Sequence, residues 1–124
     1  MRILTFAVLM GVSVSAADLA AGWTHSVAVR GGRVWTWGDN AYGQLGQPDA
    51  GRSLRPRPVM GLDNVVAVAA SWHTLAVTAD GHVYAWGRNT YGQLGNGPFG
   101  IDAREAAPVR VAGLEGIVAV AAGW

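Results

Sequence analysis

Short apolar runs recur along the chain, each bounded by glycine, aspartate or proline. Residues 27–29 and 75–77 are two such runs. A turn signal follows each of them, Gly31-Gly32 in one case and Asp80-Gly81 in the other. Tight hairpins demand positive φ, which glycine and aspartate tolerate, so both signals predict a strand that folds back on its predecessor. The returning segments alternate with a period of two: Trp35 and Trp37 share one face, Val34 and Thr36 the other. Tyr84 and Trp86 repeat the first face, and Val83 and Ala85 the second. Val59 and residues 109–111 predict a short third strand. Residues 65–70 and 117–122 are apolar on both faces, the pattern of a buried strand; their shortness and their Val/Ile content favour strand over helix.

Sliding the chain along itself shows that these segments are copies. Trp-Gly-Asp-Asn-Ala-Tyr-Gly-Gln-Leu-Gly at 37–46 returns as Trp-Gly-Arg-Asn-Thr-Tyr-Gly-Gln-Leu-Gly at 86–95, with eight identities in ten at an offset of 49. His25-Ser26-Val27-Ala28-Val29 matches His73-Thr74-Leu75-Ala76-Val77, and Pro58-Val59 matches Pro108-Val109. Residues 65–70 match 117–122, and the offset drifts between 48 and 52 in the loops. A third copy opens at Gly123-Trp124, echoing Gly22-Trp23. Each copy of about 50 residues supplies roughly four strands, the size of one propeller blade. The predicted fold is therefore all-β: tandem four-stranded antiparallel blades of a partial β-propeller, two repeats plus a stub. The predicted boundaries are 18–70 for the first blade, 71–122 for the second and 123–124 for the start of a third, after a leader at 1–17.

The paired segments at 37–46 and 86–95, with Ala-Ala-Gly-Trp-Thr-His-Ser at 20–26 and Asp-Gly-His-Val-Tyr-Ala-Trp-Gly at 80–87, carry a resemblance. On these residues the sequence resembles the regulator of chromosome condensation repeat family, over residues 19–124. The resemblance implies a propeller, usually of seven blades, and protein binding as the class of function. The eukaryotic nuclear member is an exchange factor for a small GTPase and binds chromatin; its activity depends on loops outside the repeat motif that have no matching positions here, so an exchange-factor-like regulator is a minor alternative. Some secreted bacterial relatives inhibit β-lactamases through the propeller face. Two repeats and a stub do not close a seven-bladed ring. Each open end would leave on the order of 10 kcal/mol of burial unmade, at about 25 cal/mol per Å². This implies a fragment of a longer secreted propeller, or blades completed by other chains, self-association through the open faces included.

Composition sharpens this picture. Eighteen glycines and six tryptophans in 124 residues suit a turn-dense fold with large core anchors. All nine basic residues are arginine, against eight acidic ones. Removal of a leader carrying Arg2 leaves no net charge, which excludes the basic face that nucleic acid requires. The absence of cysteine excludes disulfides and thiolate catalysis. At the N-terminus, Met1-Arg2 precedes ten apolar residues at 3–12 and the small run Ser13-Val14-Ser15-Ala16-Ala17. Cleavage after Ala16 or Ala17 suits a signal peptidase, and a membrane span would need roughly twice that apolar length. The mature chain is expected to be secreted or periplasmic, with no membrane anchor.

Candidate chemistry is sparse. His25 and His73 occupy equivalent positions, but no further ligand shares their spacing, so they are expected to hydrogen-bond between strands rather than hold a metal. His82, just past a turn, is expected to be solvated. Gly43, Gly46, Gly92 and Gly95 lack the following lysine of a phosphate loop. Trp35, Trp37, Tyr84 and Trp86, together with Trp23, Trp72 and Trp124, sit at equivalent repeat positions and predict contacts between blades. Tyr42 and Tyr91 are expected to be structural. No nucleophile motif or carboxylate pair is visible, so no catalytic, cofactor or metal residues are expected and the chain is read as a non-enzyme, with a propeller-scaffold hydrolase or lyase as the alternative. Asp39 and Arg88 break the repeat at one equivalent position. Arg52, Arg55 and Arg57 cluster in the first inter-strand loop; Phe99, Ile101, Asp102, Arg104 and Glu105 lie in the second. Variable loops on a repeated scaffold carry specificity, which makes Arg52, Arg55, Arg57, Phe99 and Arg104 the candidate contacts with a protein partner.

Overall fold

The structure, a computed structural model, describes residues 18–123. The leader expected at 1–17, and Trp124, lie outside the described residues. The order of elements is β1 (Leu19–Ala21), β2 (His25–Arg30), β3 (Arg33–Gly38), β4 (Ser53–Pro58), β5 (Val65–Ala70), β6 (His73–Thr78), β7 (Val83–Arg88) and β8 (Arg104–Arg110). They form two four-stranded antiparallel meanders, β1-β2-β3-β4 and β5-β6-β7-β8. The β2–β3 hairpin turns on Gly31 and Gly32, whose φ values of 59° and 75° are the two positive angles a two-residue turn of this hand requires.

The sheets stack face to face. Val27, Val34 and Val59 of the first side meet Val65, Val68, Ala76 and Trp86 of the second in one buried cluster. The alternation along β3 puts Val34 and Thr36 into this interface and leaves Trp35 and Trp37 half-buried on the opposite face. A smaller cluster, Ala67, Val77 and Val83, lies on the far face of the second sheet, covered by Val111, Ile117 and Val120. Matching register breaks at Thr36/Gly38 and Ala85/Gly87 show that the two blades carry the same bulge at the same place.

Four features differ from the sequence reading. Residues 65–70, placed above with the first repeat, form the first strand of the second sheet, so sequence repeat and sheet are out of phase by one strand. Residues 117–122 are not a strand. A ladder needs a neighbour, and among the described residues no strand lies beside them. The third strand of each repeat is longer and starts earlier than Val59 or residues 109–111 suggest, at Ser53 and Arg104. Finally, Val59 corresponds to Val111 rather than Val109: their amides donate to Val34 O at 2.8 Å and Val83 O at 2.9 Å. The Pro-Val dipeptides match in sequence while sitting two residues apart in register.

Candidate functional site

The repeated motif builds a loop that one blade presents to the next. Asn40 closes it: its Oδ1 accepts the Leu45 amide at 3.0 Å, and its Nδ2 donates to Gln47 O at 3.3 Å and Ala50 O at 2.6 Å. Gln44 Oε1 accepts the Tyr42 amide at 2.8 Å. Asn89 and Gln93 repeat these contacts with Leu94 N at 3.0 Å and Tyr91 N at 2.9 Å. So held, the Gln44 carbonyl faces the second blade and accepts both Trp86 Nε1–H at 2.9 Å and Thr74 Oγ1–H at 2.8 Å. Gly46 is required there, because a Cβ would lie 2.8 Å from Trp86 Nε1.

Thr74 also meets His25 Nε2 at 2.8 Å. The Thr74 hydroxyl gives its one proton to Gln44, so His25 must donate through Nε2 and its Nδ1 is the bare nitrogen. That Nδ1 is buried without a partner, and so is Nδ1 of His73. Burial pushes His25 down to about 4; nearby His73 adds to the shift and Asp39 opposes it. Burial lowers His73 as well. His25 is thus a neutral part of the seam between blades, hydrogen-bonded between strands as the sequence suggested, while His73 is a second neutral, buried imidazole near it. Among the described residues no group of three or more His, Asp or Glu is arranged to hold a metal.

The same loops raise a rim of aromatic side chains around one arginine. Trp23 stacks on Trp72, with ring centroids 5.7 Å apart and planes 9° from parallel. Tyr42 meets Trp72 edge-on at 5.9 Å. The Arg88 guanidinium lies over Tyr42 at 5.3 Å, Trp72 at 5.6 Å and Tyr91 at 5.4 Å, with Nε donating to Thr90 Oγ1 at 3.1 Å. No carboxylate pairs with it among the described residues. Trp23 is 56% exposed and Tyr91 77%. Gly92, next to Tyr91, approaches the Phe99 ring closely enough that a Cβ would touch it, which extends the rim to Phe99. The rings around Arg88 come from repeated positions, whereas Arg88 stands where the first repeat has Asp39 and Phe99 comes from the variable loop. The break in the repeat and the variable loop holding Phe99 are the sequence signals for the site; Tyr42, Tyr91 and Trp72 recur and so carry only a structural signal.

The five predicted contact residues do not converge. Arg52 precedes β4, while Arg55 and Arg57 lie on β4 itself, exposed on an edge strand rather than in a loop. An alternating Arg-Pro-Arg-Pro stretch reads as a loop, yet proline is tolerated on an edge strand, where no partner needs its amide. Arg104 begins β8 and donates through Nη1 to Ala41 O at 3.3 Å, across to the first blade. Phe99 alone borders the aromatic rim. The equivalence of the tryptophans also splits: Trp86 is fully buried, Trp37 is half-exposed, and Trp124 lies outside the described residues.

Comparison with known proteins places these features. The family model described as regulator of chromosome condensation (RCC1) repeat matches residues 31–77 and 80–124, and a second model of the same description matches 16–44 and 65–93. Among solved structures, Prp20p from Saccharomyces cerevisiae is similar with a TM-score of 0.69 and 33% identity, over 76% of this chain and 23% of that one. The yeast RCC1 (Prp20) seen with Kap60 gives 0.69 and 32%, over 81% and 23%. Human WBSCR16 gives 0.64 and 29%, over 74% and 24%. The chain therefore spans about a quarter of the length of these relatives.

Proposed function

Because the chain belongs to the regulator of chromosome condensation repeat family and folds as two blades of its propeller, we propose that it is a non-catalytic protein-interaction module. Its contact surface is the rim of Trp23, Trp72, Arg88, Tyr91 and Phe99. The observation that carries this reading is Arg88, seated over three rings between an exposed Trp and an exposed Tyr. Trp, Tyr and Arg are the residue types that dominate binding energy at protein interfaces: the two aromatics bury large area at little entropic cost, and Arg adds a planar fork of donors. A guanidinium steadied by rings and lacking a carboxylate of its own suits a partner that brings one. One relative, seen in two structures, is described by protein binding: yeast Prp20 by its binding properties to Gsp1p and histones, and as bound to Kap60. A non-catalytic role is supported by His25, whose Nε2–H is spent on Thr74 across the seam between blades.

A photo-crosslinking residue at Tyr91, used in the host that makes the chain, identifies the partner. That protein is then titrated against the wild type, Arg88→Ala and Arg55→Ala. The expected result is a loss of tenfold or more, about 1.4 kcal/mol, for Arg88→Ala alone. Equal affinity of Arg88→Ala and wild type removes the rim from the reading. We also propose export to the periplasm or beyond, on the leader pattern at 1–17. N-terminal sequencing of the mature chain should begin at Ala17 or Asp18, and an intact Met1 would refute it.

A further inference from the structure

The motif loop leaves its last glycine differently in the two repeats. In the first, Leu45-Gly46 runs on into Gln47-Pro48; in the second, Leu94-Gly95 runs on into Asn96-Gly97, the one Asn-Gly pair in the chain. Gln47 is buried, and its Nε2 donates to Thr36 Oγ1 at 2.8 Å and Arg57 O at 3.3 Å. The loop-closing Asn40 donates to the backbone carbonyl of Gln47. Its counterpart Asn89 donates instead to the side chain of Asn96, Nδ2–H to Oδ1 at 2.8 Å. Asn96 is half-buried, and its own Nδ2 donates to Glu105 Oε1 at 2.8 Å. Gly97 is exposed, with a φ of 103°, and a Cβ built on it would meet nothing. Among the described residues no acceptor takes the Gly97 amide N–H. Pro48, at the equivalent place, has no N–H to give.

We propose that Asn96 is a site of spontaneous covalent modification, at which the amide becomes a carboxylate and the loop ahead of β8 opens. The lone pair of the Gly97 nitrogen forms a bond to Asn96 Cγ. The Cγ–Nδ2 bond breaks, and ammonia leaves with the proton that Gly97 gives up. Water then opens the cyclic imide at either of its carbonyls, leaving aspartate at position 96 or the isomer in which the chain runs through the side-chain carboxyl. Three features favour the step. Glycine sets no Cβ against the approach of its own nitrogen. Its N–H is committed to no other group. Asn89 Nδ2–H already donates to the oxygen on which negative charge develops. The first repeat has neither the free nitrogen nor the short side chain, so the reaction is confined to the second. Its product sets a carboxylate where an amide donated to Glu105, and two like charges then face each other across a former hydrogen bond. That bond ties the motif loop to the start of β8, so its loss frees the segment between, Phe99 included. The modification stands whether or not the aromatic rim binds a partner.

The purified chain is aged in warm buffers from mildly acid to mildly alkaline and compared with an unaged sample. Trypsin cuts after Arg88 and Arg104 and releases residues 89–104, which carry Asn89 and Asn96 together. The expected result is the mass change of an amide turned into an acid, placed at residue 96 by fragmentation, in both aspartyl and isoaspartyl forms. It should be faster in the alkaline samples, because the attacking nitrogen must lose its proton, while Asn89 in the same peptide stays an amide. Asn96→Gln, the residue of the first repeat, should abolish the change. Amide exchange over residues 96–104 should quicken in the aged chain and in Asn96→Asp, and slow again when Glu105→Gln is added to Asn96→Asp. An Asn96 that survives in the folded chain, under conditions that convert a synthetic peptide of residues 89–104, overturns the proposal. So does undiminished acid formation in Asn96→Gln, or unchanged exchange in Asn96→Asp.

Discussion

The indole N–H of Trp86 reaches back 42 residues to the carbonyl oxygen of Gln44, at 2.9 Å. One blade's loop thereby supplies the acceptor for the next blade's largest buried side chain. Trp86→Phe keeps most of the ring and loses this bond, at an expected cost of about 1–2 kcal/mol. Trp86→Ala should cost about 3–5 kcal/mol through the cavity it leaves. Gly46→Ala should also be severe, since its φ of 66° is unfavourable to a side chain and the added Cβ would press on the ring. Urea unfolding of the three variants beside wild type ranks them.

Acid should loosen the seam before it touches the rest of the fold. Above pH 6.5 His25 is neutral in both folded and unfolded chains, and its contribution is fully present. Between 6.5 and about 4 the unfolded chain takes up a proton that the folded chain refuses. Stability should therefore fall across that window by up to about 3 kcal/mol, with His73 acting in the same direction. Urea midpoints measured from pH 7.5 to 4 should decline in wild type and flatten in His25→Gln.

Thr74 tests the tautomer. Thr74→Ser preserves the hydroxyl that bridges His25 to Gln44 and should be nearly neutral. Thr74→Val strands the buried His25 Nε2–H and should cost about 1–3 kcal/mol. Equal midpoints for the two variants would contradict the bridge.

Asn40→Asp separates the two jobs of one side chain. The carboxylate still accepts the Leu45 amide but no longer donates to Gln47 and Ala50. A loss of about 1–2 kcal/mol is expected, with faster amide exchange at residues 45–50 as the local readout.

Arg88→Ala should barely affect folding. Cation–π contacts at a half-exposed site are worth about 1 kcal/mol, so the thermal midpoint should move by only a few degrees while partner binding is lost. A collapse of the fold in this variant would show that the arginine is a structural pin and not a contact.

Much of the fold was legible because each strand carries a local signal. Val34 and Thr36 alternate with Trp35 and Trp37, and the Gly31-Gly32 turn fixes the hairpin register. What the sequence hid was relational. Residues 65–70 read as the end of a repeat because nothing local says which neighbour a doubly apolar strand will choose; the choice lies in Val65 and Val68 facing Val27 and Val34. Residues 117–122 carry the same pattern and yet form no ladder, since a strand is defined by its partner. The aromatic rim was hidden for a related reason. Repetition marks Tyr42 and Trp72 as scaffold, and only the exchange of Asp39 for Arg88 turns that scaffold into a surface.

The one-strand stagger between sequence repeat and sheet bears on how such genes change length. A recombination event that removes one repeat's worth of codons with its endpoints at the sequence-repeat boundaries deletes material from two sheets and rejoins the remnants as one four-stranded blade. The chain shortens by a whole unit without ever exposing a severed sheet.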